Sequence, residues 1–499
     1  MADSAKILLC LAVCAAGYTL MQRAAMKRSA KSGNRVHTAP TLAGDMTAAL
    51  AAASLAALAL LVTGRPVMSA LLVLALGAFL LVVNRAKEKI LREPLVLADA
   101  LLIPQVGKYP EMYLPFLPVK AILAATGGVA LCLAALMLAE NRISYKSNCG
   151  ICFSLFLVAF GPVIGIWLLR RFLLPDRIAK VLLDLLPVSH DAAADAAKNG
   201  PLAAALMHPV LAGRMERNGP DFLRDANSRP AASRWPEAFE DMLREVEAKP
   251  LDECPHVLLV QAESFCDIRE HLEGKQKEAL KDFLPNWDKL KALGRTLPTP
   301  EDAFGAYTMR TEFSKLTGLE MKELGAFAFN PYLLAARRPM WSLARLFRNK
   351  GYETVCIHPY HKGFFRRDKV MPNLGFERFL GIEELGDLEK FGPYTSDLAL
   401  GKRIVQELET ATRPVFCFAI TMEAHGPWLE GRLEADKNPP DTYRDIVNLF
   451  DSETGAYLRH LLNMDALLEI PNVIAFRQIY TWMYSDHMPG LSLHEDSVG

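Results

Sequence analysis

Five apolar runs in the first third of the chain decide how the rest can be organised. A bilayer core about 30 Å thick takes close to 20 apolar residues in a helix. Runs at residues 7–21, 46–63, 67–83, 121–138 and 152–173 approach that length, each nearly free of charge and most bounded by Lys, Arg or Asn. Residues 1–175 therefore read as a bundle of about five membrane-spanning helices. The first run is short enough for a secretory leader. However, its basic residues follow it, no small-residue cleavage site stands out and further spans come after, which favours a retained span.

Charge excludes one class of partner. Lys plus Arg number 56 and Asp plus Glu number 56, so there is no basic excess of the kind that binds nucleic acid. The nine cysteines show no metal-finger spacing. Cys149 and Cys152 form a lone CxxC beside an apolar run, where packing is the simpler reading, and Cys254, Cys266, Cys356 and Cys417 suit buried thiols better than a disulfide framework. Sidedness by charge is equivocal. Arg23, Lys27, Arg28, Lys31 and Arg35 follow the first run and Arg85, Lys87, Lys89 and Arg92 follow the third. With five spans the positive-inside rule then leaves the C-terminal part in the cytoplasm, and one span more or fewer, or re-entry of residues 95–106, reverses the answer.

Residues 176–250 read as a polar helical connector broken by Pro201, Pro209, Pro220, Pro230 and Pro236. In residues 251–499, short apolar runs at 257–261, 354–357, 415–420 and 473–476 alternate with helical stretches at 310–319, 340–350 and 397–408. That alternation predicts an α/β domain with a mostly parallel sheet and helices on both faces. Ligands in such sheets gather at the carboxyl ends of the strands.

Chemistry is concentrated at those ends. Glu263 directly follows the strand at 257–261, where it is equally a metal ligand or a carboxylate capping the next turn. Asp486 and His487 end a later aromatic strand; two acidic strand ends plus an imidazole form a donor set suited to a divalent cation. Between them, the glycine-bounded stretch 305–318 leads into an amphipathic helix whose start offers N–H groups and hydroxyls. A hydroxyl there is a candidate nucleophile toward phosphorus, while Thr308 and Thr311 also suit simple helix capping.

Together these segments resemble the lipoteichoic-acid-synthase-like phosphoglycerol transferases of the alkaline phosphatase and sulfatase superfamily. The likeness rests on Gln261-Ala-Glu263-Ser-Phe, on Thr308-Met-Arg-Thr-Glu-Phe with Leu-Thr-Gly-Leu behind it, on His425-Gly-Pro and on Ser-Asp486-His487-Met-Pro, in that order. It extends to the N-terminal anchor and to Leu91-Arg-Glu-Pro-Leu-Val-Leu-Ala-Asp. The resemblance implies that Glu263, Thr308, Asp486 and His487 hold one divalent metal, Mn2+ ahead of Mg2+ or Zn2+, with Thr308 as nucleophile. It implies that Arg367 contacts the glycerophosphate, Phe365 forms an aromatic wall and His425 stands at the substrate site. It further implies a phosphatidylglycerol-type donor, an envelope glycan or polymer as acceptor, and a multi-pass protein of the bacterial cytoplasmic membrane whose catalytic domain faces the periplasm or exterior.

Two departures qualify the resemblance. No C/S-x-P-x-R motif is present, which disfavours sulfate-ester hydrolysis, and the extra histidines and disulfides of phosphoethanolamine transferases are not identifiable. Only twelve residues follow His487 and residues 476–482 are less apolar than a central strand, so a C-terminally short sheet and a catalytically inactive membrane remnant are the competing expectation.

Overall fold

The computed structural model describes residues 2–29, 41–116, 119–143, 149–172, 175–218, 222, 225–296, 307–433, 436, 439–469, 478–489 and 491. The chain divides into two units, Met1–Gly219 with Gly325–Phe329, and Pro220–Leu324 with Asn330–Gly499.

In the first unit the apolar runs become helices α1 (Ala2–Ser29), α2 (Leu42–Thr63), α3 (Pro66–Leu91), α4 (Val119–Ala139) and α5 (Cys149–Phe172). Among the described residues, α1 to α4 are long and apolar enough to cross a membrane, and the apolar stretch of α5, Gly150–Gly161, is shorter. The five expected spans thus stand as four plus α5. Leucines that a water-soluble bundle would hide point outward, Leu8, Leu20, Leu123 and Leu131 among them, and Leu138 is 92% exposed. Lipid is the solvent that such a surface fits, and the chain is a membrane protein.

Polar contacts set where these helices begin and how closely they approach. Thr41 accepts a bond from the Gly44 N–H at the start of α2, and Gly64, at φ 65°, ends it. The Glu140 carboxylate beyond α4 accepts from the N–H groups of Val67 (2.8 Å) and Met68 (2.9 Å), satisfying the free donors at the start of α3. At Gly44 a Cβ would stand 1.9 Å from the carbonyl oxygen of Asn199, so only glycine lets α2 lie against the helix Ala192–Asn199. Residues expected to form one connector divide at about residue 219: the helices Pro175–Leu185 and Pro201–Asn218 belong to the first unit and Glu237–Ala248 to the second.

Among the described residues, the second unit is built on a five-stranded sheet of β1 (His256–Ala262), β2 (Glu353–Ile357), β3 (Arg378–Leu380), β4 (Val415–Ile420) and β5 (Ile479–Ser485), in the spatial order β3-β2-β4-β1-β5. Every pair is parallel. All residues of β1 and β4 are buried, as strands covered on both faces require. β5 lies at the edge of the described sheet and is half-buried along its whole length, which accounts for its polar sequence. The strand expected at 473–476 lies outside the described residues. On one face Phe416 stacks on Phe347 (4.6 Å) and Phe376 (5.9 Å); on the other, Leu258, Val260, Val355, Ile357 and Cys417 pack against Leu400, Ile404 and Leu408 of the helix Asp397–Glu409. Cys254, Cys266, Cys356 and Cys417 are buried, as their apolar flanks indicated.

Truncating Phe416 to Ala removes the ring at the centre of that stack. Chemical unfolding of the detergent-solubilised chain should show a loss of about 3–5 kcal/mol. A loss below about 1 kcal/mol would mean that the stack contributes little.

Candidate metal and nucleophile site

Strand register builds the site. Ala262 of β1 pairs with Ser485 of β5, so the next residue of each chain segment, Glu263 and Asp486, emerges side by side at the carboxyl edge, with His487 one further on. All three are buried, and a ligand atom from each lies within 4.8 Å of the others. His487 Nδ1 stands 3.0 Å from the Met488 carbonyl oxygen and therefore carries the proton of that bond. Its Nε2 is turned to the acids, 3.3 Å from Asp486 Oδ2 and 3.5 Å from Glu263 Oε1.

The helix α6 (Thr308–Thr317) brings in the hydroxyl. It starts abruptly from Tyr307, whose φ of 71° is left-handed, and no side chain caps it. Thr308 lies beside the Asp486 carboxylate and favours its charged form, and Thr311 donates to the Asp486 carbonyl oxygen at 2.7 Å. Thr311 thus serves the end of β5, and the expected capping role falls to neither threonine. One turn on, Glu312 accepts from Arg367 Nε at 3.0 Å, from Arg367 Nη2, from Tyr332 and, at 3.2 Å, from Gln261. Gln261 in turn accepts from the Tyr484 hydroxyl at 2.7 Å. The helix is therefore fastened to the ends of β1 and β5 at two levels.

The electrostatics of this cluster suit a cation. Burial, reinforced by the charge of Glu263, pushes Asp486 up to about 7. Burial works against a charged His487, but Asp486 and Glu263 hold its imidazole above the ordinary value. Without a cation, burial favours the protonated form of Asp486. Asp486 Oδ2 is buried and makes no hydrogen bond, an arrangement that costs free energy unless a positive partner occupies the position. Two carboxylates, an imidazole with its free nitrogen turned inward and an adjacent hydroxyl fit a hard or borderline divalent metal.

Of the remaining expected residues, His425 is close enough to His487 and Asp486 to feel their charges, and Arg367 with Phe365 is tied to Glu312. His425 follows β4; its Nδ1 is 2.8 Å from the Gly426 carbonyl oxygen, the Tyr394 ring lies edge-on at 5.7 Å, and burial pushes its pKa down to about 4. Arg367 is buried and forked onto Glu312 with Nη1 unbonded, and its guanidinium lies 5.3 Å from the ring of Phe365. Phe365 and Arg366 both have left-handed φ, 53° and 59°, and Arg366 is exposed. Reading the sequence alone missed Glu312, Ser264 and His358. His358 offered a signal, since it follows β2 as Glu263 follows β1; its buried imidazole is held well below its ordinary pKa by burial and by Arg367. Glu312 offered only its place one turn after Thr308.

A parallel sheet with acidic strand ends and a hydroxyl-bearing helix at its carboxyl edge defines an α/β domain of the alkaline phosphatase and sulfatase type. Residues 255–495 match the sulfatase family. Capsular polysaccharide biosynthesis protein RkpI of Rhizobium meliloti is 28% identical over 421 residues, covering 83% of this chain and 72% of that one. A putative cyclic β-1,2-glucan modification protein of the same organism is 30% identical over 257 residues, covering 49% of this chain and only 37% of its own length. Lipoteichoic acid synthase LtaP from Listeria monocytogenes aligns in structure with a TM-score of 0.37 and 21% identity, over 54% of this chain and 61% of that one.

A chain stripped with chelator should take up one Mn2+, and Asp486→Asn should lower that affinity at least roughly 100-fold by calorimetry, since it removes a ligand outright. Protons compete for the same groups: Asp486, raised to about 7, must shed its proton to bind. Affinity should therefore climb as pH rises from 6 to 8 and level off above; a flat profile would contradict the assignment of Asp486 as a ligand.

Proposed function

We propose that this chain is a membrane-bound transferase that moves a glycerophosphate group from a phosphatidylglycerol-type lipid to a hydroxyl of an envelope glycan or polymer, with Thr308 as nucleophile. The observation that carries the reading is the place of Thr308 at the start of α6, beside the Asp486 carboxylate and its neighbours Glu263 and His487. The names of the two Rhizobium relatives, one in capsular polysaccharide biosynthesis and one in glucan modification, support a glycan acceptor.

Glu263, Asp486, His487 and the Thr308 hydroxyl would hold a divalent cation, with Mn2+ ahead of Mg2+ and Zn2+, which when bound lowers the pKa of the hydroxyl and offsets charge on the phosphoryl oxygens. Thr308 Oγ attacks phosphorus, the bond to the lipid breaks and diacylglycerol departs with a proton, leaving a glycerophosphoryl ester on Thr308. The positive end of α6 faces the developing charge. Arg367, fixed by Glu312, has its unbonded Nη1 to offer a phosphoryl oxygen, a planar donor that lysine does not reproduce. An acceptor hydroxyl then attacks the same phosphorus and Thr308 recovers its proton. His425 is neutral across the physiological range, with Nδ1 committed to Gly426 and Nε2 left as a proton acceptor, which suits it to take the acceptor's proton.

Such a donor and acceptor meet at the outer face of the bacterial cytoplasmic membrane, and the catalytic domain is assigned to the periplasmic or exterior side. Fused at the C-terminus, a phosphatase reporter that requires export should be active; an inactive, stably expressed fusion would reverse that topology.

The activity is tested with the purified chain, Mn2+ and a fluorescent phosphatidylglycerol. Diacylglycerol should be released by the wild type, fall by about 10³-fold or more in Thr308→Ala, and persist in part in Thr308→Ser. Release unaffected by Thr308→Ala, or no release from a folded and metal-loaded wild type, would contradict the proposal.

A further inference from the structure

Ser264 stands between the two carboxylates of the cluster in a backbone conformation that serine seldom adopts. Its φ is 54°, in the left-handed region, and it is 1% exposed. A buried, non-glycine residue in that region is held there by its surroundings. What holds it is Tyr457, a buried residue of the helix Ser452–Leu467: the Tyr457 hydroxyl accepts from the Cys266 N–H at 3.0 Å and donates to the Ser264 carbonyl oxygen at 2.7 Å. The turn after β1 is thereby clamped from outside the site.

That conformation lets one residue address both acids. The Ser264 N–H donates to Asp486 Oδ1 at 2.8 Å, and the Ser264 hydroxyl donates to Glu263 Oε1 at 2.9 Å. Asp486 Oδ1 also receives the His487 N–H at 3.0 Å. One oxygen of each carboxylate is thus tied down within the protein, and Asp486 Oδ2 is the oxygen left bare. Carboxylates are free to rotate unless such bonds fix them, and fixed ligands lose less freedom when a cation binds.

We propose that Ser264 is a positioning residue: clamped by Tyr457, it sets the orientation of Glu263 and Asp486 and thereby the affinity of the site for a divalent cation. The inference rests on the metal reading of the cluster and not on the identity of the lipid donor or acceptor. Its hydroxyl contributes to the site without touching the cation.

The test is a calorimetric titration of the full-length, chelator-treated chain in detergent with Mn2+, comparing wild type with Ser264→Gly and Ser264→Ala and recording the melting temperature of each metal-free form. Glycine relaxes the left-handed backbone and alanine keeps its strain, while both remove the hydroxyl. Both variants should bind Mn2+ roughly 10- to 100-fold more weakly than wild type, the range seen when residues behind metal ligands are removed, with metal-free melting temperatures near that of wild type. Affinities within threefold of wild type would overturn the role of Ser264 while leaving the metal site standing. Weaker binding seen only alongside a collapse in melting temperature would reduce Ser264 to a structural residue. Absence of Mn2+ binding by the wild type would overturn the metal reading itself.

Discussion

Parallel pairing of β1 with β5 is the constraint on which the site depends. With Ala262 opposite Ser485, Glu263 and Asp486 leave the sheet at the same level, and a slip of one residue would turn one of them to the other face. That pairing is made by backbone groups, so the position of the acids is fixed by the whole sheet and not by flexible side chains. The aromatic stack around Phe416 and the aliphatic layer under the helix Asp397–Glu409 keep β1 and β4 buried, and their register locates every strand end that the site uses.

Around this frame the chain places charges and polar groups where water does not reach, and ties several of them together. Glu312 and Arg367 are an almost fully buried ion pair, completed by Tyr332 and Gln261. Glu423, also buried, accepts from His460 and Asn463, while Arg432 donates from Nε to the other nitrogen of His460 and from Nη2 to the Glu423 carbonyl. Burial lowers the pKa of His460, consistent with a neutral ring that accepts from Arg432. Buried pairs of this kind rarely add net stability compared with apolar residues of the same shape. Their value lies in geometry: breaking either leaves an uncompensated charge, so the loop after β4 and the helix α6 have one arrangement each.

Much of this was legible in the sequence because it depends on local pattern. Apolar runs marked the membrane helices, and strand–helix alternation marked the sheet, including the all-buried segments of β1 and β4. Glu263, Asp486 and His487 announced themselves as polar residues at the ends of apolar strands. What the sequence left hidden depends on partners far apart in the chain. Glu312 meets Arg367 across 55 positions and Ser264 meets Tyr457 across 193, and neither pairing has a spacing rule. Strand β5 looked too polar for a sheet interior, and it lies at the edge of the described sheet, a place set by topology. The left-handed φ of Ser264 and Tyr307 had no glycine to signal it.

The account makes Thr308 the atom donor through which the transferred group passes. Incubating the Mn2+-loaded chain with phosphatidylglycerol in the absence of any acceptor, quenching in acid and mapping peptides by mass spectrometry tests that most directly. The account predicts one glycerophosphoryl group on the peptide containing Thr308. Diacylglycerol release with that peptide unmodified, or the group found on another side chain, would contradict it.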